Sequence, residues 1–223
     1  MLIRKLFHYG FNNDALELVK CYFTNRVQHT KIGEAISEEA KIELSVPQGS
    51  VLGPLFFLIF VNDLLFVVKL MAKLFADDTT LYKAGNDIDN LVSSFTKDLE
   101  PLITWCEMNR LDINFKKTYC MIVTRHRVVI PKSILVNDVN IEVVSKFKLL
   151  GVTLDNKLIF SSYVSSICGR INGVLYSIKR LFYLPLSTKI QFFKTFILPL
   201  FDYCLTLSIY YEKYLITKLS SCY

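Results

Sequence analysis

The chain has 223 residues, of which 52% are hydrophobic and 13% aromatic. That composition excludes intrinsic disorder and allows one large domain or two small ones, each with a core. The net charge is +6 and is unevenly placed: Asn156 to Phe201 contains no Asp or Glu but holds six of the 26 basic residues, and the other 20 balance the 20 acidic ones. Those six are Lys157, Arg170, Lys179, Arg180, Lys189 and Lys194. A basic segment of this kind suits a polyanion such as nucleic acid, and a solvated helix face has the same composition.

In chain order, "NNDALELVKCYF" predicts a helix capped by Asn12 or Asn13, with Leu16, Val19 and Tyr22 or Phe23 on one face. "RVQHTKIG" and "EEAKIELSV" alternate apolar and polar residues and predict a β-hairpin with a long loop around Gly33. "VPQGS" predicts a turn, with Ser50 capping a buried helix from Val51 to about Phe66 and Pro54 in its first turn. "KLMAKLFA" and "TTLYKA" predict a tight antiparallel hairpin with Asp77 and Asp78 at its tip.

Apolar residues from Ile88 to Cys106 repeat at helical spacing, with Pro101 expected to kink or split that helix. "KTYCMIVT" and "FKLLGVTLD" predict strands. Ile167, Ile171, Val174, Leu175, Ile178, Leu181 and Phe182 predict one helix face, opposite Ser166, Arg170, Ser177 and Arg180, and a second helix is expected from Ser187 to Leu198. Irregularly mixed strands and helices followed by a helical tail indicate an α+β fold with a C-terminal helical subdomain.

Other signals narrow the class. "VLGPLFFLIFV" is 11 residues long, too short to span a bilayer, and Pro199 and Asp202 interrupt the apolar run from Phe196 to Tyr211. Both runs are expected to be core rather than membrane segments. The N-terminal residues lack a secretory pattern, so an intracellular, cytoplasmic or nuclear location is expected. The six cysteines form no C-x-x-C pair and stand far from the three histidines, which argues against zinc and for buried, reduced thiols.

The adjacent acids of "LFADDTTLY" carry the sharpest chemical signal. Two neighbouring carboxylates repel unless water or a cation relieves them, and magnesium favours few carboxylates together with waters and substrate phosphates. Adjacent acids in a turn are also commonly just solvated.

"SVPQGSVLGPLFFLIFVNDLL", "FADD", "LDINFKKT" and "FKLLGVTLD", in this order and spacing, resemble the palm of reverse transcriptases from non-LTR (LINE-type) retrotransposons. The resemblance covers most of the chain. "RKLFHYGFNNDALELVKCYFTNR" resembles the helix before the glutamine–glycine motif, and "GRINGVLYSIKRLFYLPLSTKIQFFKTFILPLFDYC" resembles the thumb helices.

The resemblance implies a partial polymerase palm over 1–155, an antiparallel sheet with packed helices, followed by a basic helical thumb-like segment over 156–223. It implies RNA-directed DNA polymerase activity, with magnesium as cofactor and an RNA template and DNA primer as partners. Asp77 and Asp78 would be the catalytic, metal-binding acids, with Asp77 the direct ligand. Phe75 would lie beside the primer end, and Gln48 and Gly49 beside the template base and incoming nucleotide. Asn114, Lys117 and Thr118 match an N-x-x-K-T element whose lysine approaches the triphosphate. Gly151 would belong to the primer grip, and Arg170 and Arg180 would meet the nucleic-acid backbone. Asn62 and Asp63 match the family but read as helix-end, structural groups.

Taken singly, these residues also have duller readings: a turn at Gln48–Gly49, a surface lysine at Lys117, a bulge at Gly151. The family carries a further aspartate on a strand ahead of the segment resembling "IRKLFHYG", and Met1 stands about where that stretch ends. The expectation is weak metal binding and little polymerase activity from this chain alone. The alternative is a non-catalytic nucleic-acid-binding relic.

Overall fold

The computed structural model describes residues 1–42, 49–179 and 182–221, and the chain divides into two compact units, Met1–Asn114 and Phe115–Tyr223. The division by packing falls inside the stretch that the sequence motifs assign to the palm. The first unit mixes helices with small antiparallel ribbons and the second runs two ribbons followed by helices, in agreement with the α+β expectation.

The first unit opens with α1 (Leu2–His8) and α2 (Asn13–Phe23). Asn12 supplies the α2 cap, its side chain accepting from the Ala15 N–H at 2.9 Å. Leu6, Leu16 and Val19 pack with Phe56 from the next helix, and the rings of Tyr22 and Phe23 extend that cluster. The expected hairpin forms as two nested ribbons. Strands β1 (Val27–Gln28) and β4 (Ala40–Lys41) enclose β2 (Lys31–Ile32) and β3 (Ala35–Ile36). Gly33, at φ 61°, makes the inner turn.

The single buried helix expected from Val51 to Phe66 is instead two: α3 (Gly53–Val61) and α4 (Leu64–Val67). Ser50 Oγ does accept the Gly53 N–H at 3.0 Å. The helix breaks at Asn62 and Asp63 because their side chains are turned to partners elsewhere. Asn62 donates to the Tyr9 hydroxyl, and Asp63 pairs with Lys5. Both are structural, as the sequence reading expected. Burial is also one-sided: Phe56, Val61 and Leu64 are core, while Leu55, Leu58 and Phe66 are exposed.

Lys5 ties three helices together. Its ammonium donates to the Phe60 carbonyl (2.7 Å) and to Asp63 Oδ1 (2.8 Å), and stands over the rings of Phe60 (4.3 Å) and Trp105 (4.7 Å). A mostly buried cation needs such compensation.

Next come β5 (Met71–Phe75) and β6 (Asp78–Tyr82), then α5 (Ile88–Asn109). Asp87 caps α5 by accepting the Asn90 N–H, and Arg110, in the left-handed region at φ 55°, ends it. Of the two outcomes expected at Pro101, a kink or a split, the split does not occur: α5 runs through it. A proline removes one helical N–H, but Leu99, Leu102, Trp105 and Cys106 pack on both sides of it and hold the helix together.

In the second unit, "KTYCMIVT" is not a regular strand. Only Cys120 makes a bridge, parallel to Val143. The sequence reading also missed a hairpin, β7 (Ser133–Val136) with β8 (Val139–Glu142). Its two-residue turn, Asn137–Asp138, has positive φ at both positions, the sign pattern of a type I′ turn. The strands expected in "FKLLGVTLD" are β9 (Lys146–Leu149) and β10 (Val152–Asp155).

Helix α6 (Ser161–Lys179) buries Tyr163, Val164, Ile167, Cys168 and Ile171, and exposes Ser166, Arg170 and Ser177 as expected. Phe182, expected on the buried face, is exposed and lies outside α6, and Leu181 of that expected face lies outside the described residues. The second helix begins as α7 (Leu186–Phe192), widens into a π turn over Phe193–Ile197 and continues as α8 (Leu198–Asp202). A 3₁₀ segment over Leu205–Tyr210 leads to α9 (Lys213–Ser220), whose Leu215 packs on Val164 and Cys168.

No helix of the described residues is long and apolar enough to cross a membrane. Among the described cysteines all are free. Cys168 is buried, but Cys21 is exposed, so the expectation of buried thiols holds only in part. Burial pushes the Cys120 thiol pKa up, and burial with the nearby Glu107 charge does the same to Cys106.

Asp155 anchors the entry to α6. Its buried carboxylate accepts the N–H groups of Lys157 (3.0 Å), Ile159 (3.1 Å) and Phe160 (2.8 Å), and its strand partner is Lys146. Burial pushes its pKa up, but the three N–H bonds and the Lys146 charge outweigh burial, and the net displacement is downward. A depressed carboxylate stabilises the fold above its unfolded pKa and loses that contribution as pH falls through the folded value. Stability of the chain is therefore expected to decline below about pH 4. Asp155→Asn should flatten that decline and cost about 1–3 kcal/mol at neutral pH. Denaturant titrations followed by circular dichroism across the acid range check both, and an unaltered pH profile in the variant would contradict the account.

Candidate active site

The site is built on the β5–β6 ribbon. Five antiparallel pairs run from Met71–Tyr82 to Phe75–Asp78, which leaves a two-residue connection, Ala76–Asp77. Asp78 is thus the first residue of β6 rather than part of the loop. Ala76 has φ 52°, and Asp77 is not in that region, the sign pattern of a type II′ turn, which usually takes glycine at its first position. The alanine side chain there is strained, and the paired strands hold it in place.

Alternation along β5 explains which way the ribbon faces. Ala72 and Leu74 are half-buried, and Leu74 packs against the cluster of Val61, Leu64 and Trp105. Met71, Lys73 and Phe75 point the other way and are exposed. Residues directly opposite one another share a face, so Asp78 lies on the exposed face with Phe75, and Lys73 stands diagonally from it. At the far end, Lys83 pairs with Asp98 of α5 and fixes the ribbon to the helix.

Asp77 and Asp78 are both exposed, and neither carboxylate has a side-chain hydrogen bond or ion pair among the described residues. Water rather than a protein partner therefore relieves their mutual repulsion. Two adjacent, unengaged carboxylates are oxygen donors of the kind a hard divalent cation accepts alongside waters and phosphate oxygens. No group of three or more His, Cys, Asp or Glu side chains suited to a metal occurs among the described residues. Asp77 and Asp78 are therefore the two carboxylates that an ion at this turn would meet.

The other expected residues fall as follows. Gly49, at φ 78°, precedes α3 with nothing within 4 Å of where a Cβ would sit, and it belongs to the first unit with Phe75, Asp77 and Asp78. Gln48 and Arg180 lie outside the described residues. Asn114 closes the first unit. Lys117 lies on a 3₁₀ turn, Phe115–Lys117, at the start of the second, followed by Thr118.

Gly151 and Leu150 form the β9–β10 turn, both at positive φ. The Tyr203 hydroxyl donates to the Leu150 carbonyl, and its oxygen would lie 3.4 Å from a Cβ at Gly151. Tyr203 thus braces this turn, a role with no signal in local sequence because the pair is 53 residues apart. Arg170 is exposed on α6.

Comparison with known proteins decides the family. Residues 1–154 match the family described as reverse transcriptase (RNA-dependent DNA polymerase). The chain belongs to the reverse transcriptase family. Its relatives include the probable RNA-directed DNA polymerase from transposon X-element of Drosophila melanogaster, 27% identical in a match 202 residues long that covers 83% of this chain and 21% of the relative. The RNA-directed DNA polymerase from mobile element jockey of the same fly is 29% identical over 159 residues, 67% of this chain and 17% of the relative. The probable RNA-directed DNA polymerase from transposon BS is 29% identical over 178 residues, 74% and 19% respectively.

The resemblance seen in the motifs is therefore borne out, and this reverse transcriptase chain spans about a fifth of the length of the curated relatives it matches. No solved structure matches it.

The strained turn yields a direct expectation. Ala76→Gly should stabilise the chain by about 0.5–1 kcal/mol, because relief of left-handed strain exceeds the added chain entropy. Ala72→Gly, within β5, should destabilise it by a similar amount. Chemical denaturation followed by the emission of Trp105, the only tryptophan, tests both, and destabilisation by Ala76→Gly would contradict the turn geometry.

Proposed function

We propose that this chain is a palm-and-thumb portion of an RNA-directed DNA polymerase, supplying two of the carboxylates for template-directed nucleotidyl transfer and little activity alone. The observation that carries this reading is the two-residue turn presenting Asp77 and Asp78, unengaged and exposed, within the stretch that matches the family.

In this reading Asp77 and Asp78 hold magnesium, with Asp77 the direct ligand. The bound ion would lower the pKa of a primer 3′ hydroxyl and neutralise the departing pyrophosphate. Phe75, on the same face as Asp78, supplies an apolar platform beside the primer end. Gln48 and Gly49 approach the template base and incoming nucleotide, where a glycine permits close backbone contact. Lys117 offsets negative charge on the triphosphate, Gly151 turns the primer-gripping hairpin that Tyr203 braces, and Arg170 and Arg180 meet phosphates.

Inactivity alone follows from the donor count. A two-ion centre needs carboxylates from more than one strand, and only two acids stand together at the turn. Among the described residues the β5–β6 ribbon has two strands, so a further strand bearing an acid would have an edge to join. The same account places palm-derived sequence over 1–155 and thumb-derived helices over 156–223. A second reading, nucleic-acid binding without catalysis, draws on the absence of acidic residues from Asn156 to Phe201.

Primer extension on an RNA template with magnesium tests the proposal. The 223-residue chain should give no product above background. A chimera carrying the preceding segment of the jockey polymerase ahead of Met1 should extend the primer, and Asp77→Ala should then reduce the rate at least about 100-fold. Robust extension by the 223-residue chain would overturn the claim of inactivity, and a chimera indifferent to Asp77→Ala would overturn the assignment of the site.

A further inference from the structure

The second unit carries a groove of about 580 Å³ between the end of α6 and the start of α7, lined by Asn172, Leu175, Tyr176, Lys179, Phe182 and Lys189. Asn172, Tyr176 and Lys179 follow one another at helical spacing, so they share one face of α6. Two kinds of side chain dominate its rim. Tyr176 is 61% exposed and Phe182 80% exposed, so both rings present aromatic surface at the rim. Lys179 and Lys189 supply positive charge within a stretch that contains no acid from Asn156 to Phe201. Lys189 donates one hydrogen bond to the Phe182 carbonyl at 2.8 Å, which tethers the segment bearing that ring and leaves two ammonium protons for an anion.

Exposed rings beside unopposed cations have a specific chemical complement. A duplex offers phosphates but hides its base faces in the stack, whereas an unpaired strand offers both together. We propose that this groove binds a single-stranded nucleic-acid segment, with bases stacked on Tyr176 and Phe182 and phosphates beside Lys179 and Lys189. The inference rests on reading the chain as a nucleic-acid polymerase fragment, but it needs neither Asp77 nor Asp78 nor a metal ion.

Fluorescence anisotropy on the full chain in EDTA tests it, with a short labelled single strand and a blunt duplex of the same length as probes. Tyr176→Ala and Phe182→Ala should each weaken single-strand binding about tenfold and leave duplex binding unchanged. Tyr176→Phe should keep the wild-type affinity, which separates stacking from hydrogen bonding by the hydroxyl. Lys179→Gln should lower the slope of log affinity against log salt by about 0.7. Both rings are exposed, so circular dichroism melts of the variants should match the wild type, and the comparison is made only between matched folds.

Single-strand affinity unmoved by both alanine variants would overturn the inference, as would equal losses for strand and duplex. Failure of the wild type to bind either probe would overturn it together with the nucleic-acid reading of the basic segment. Magnesium-dependent extension by the chimera depends on Asp77, so it can succeed or fail separately.

Discussion

The placement of the paired acids depends on a connection of two residues. Five backbone pairs bring β5 and β6 into register, and Leu74 locks that register by packing against Trp105, Val61 and Leu64. A slip of one residue would turn Leu74 to solvent and reverse the face of every side chain in the slipped strand. With the register set, Ala76 has to accept a left-handed conformation that costs it energy, and the carboxylates of Asp77 and Asp78 are delivered side by side into water. Strain and unrelieved charge thus occur at one point, supported by an apolar cluster that carries neither.

The support beneath the ribbon has a polar centre. Lys5 reaches from α1 to the Asp63 break between α3 and α4 and to the rings of Phe60 and Trp105, and Trp105 in turn belongs to the cluster that receives Leu74. Asn62 and Asp63 therefore interrupt an apolar helix for a physical reason: they trade helical continuity for side-chain bonds to Tyr9 and Lys5.

Much of this was legible in the sequence because local signals agreed with the tertiary outcome. Asn12 caps where its side chain can reach Ala15, the apolar period from Ile88 to Cys106 forms one helix whose face is half-buried and fully buried at Leu99, and two apolar runs around "ADD" leave little choice but a hairpin. The misses have more than one cause. Pro101 breaks helices in isolation but not where Leu99 and Trp105 are both buried. The β7–β8 hairpin was signalled by Asn137–Asp138, residues that tolerate positive φ, but its strands are short and only every second residue of β7 is buried. Asp155 and Tyr203 act through bonds to backbone groups that no local motif announces. The adjacent acids and the shortage of a further carboxylate were both legible in the sequence, and among the described residues no group of three or more metal-ligating side chains adds to them.

The central claim is that Asp77 and Asp78 together form a metal-binding point on this chain. Manganese, a paramagnetic substitute for magnesium, tests it directly when titrated into the ¹⁵N-labelled chain while amide resonances are followed by NMR. The account predicts selective broadening of amides from Phe75 to Thr79, abolished by Asp77→Asn combined with Asp78→Asn. Sharp hairpin resonances in the presence of manganese, with broadening confined to other acidic residues, would contradict it.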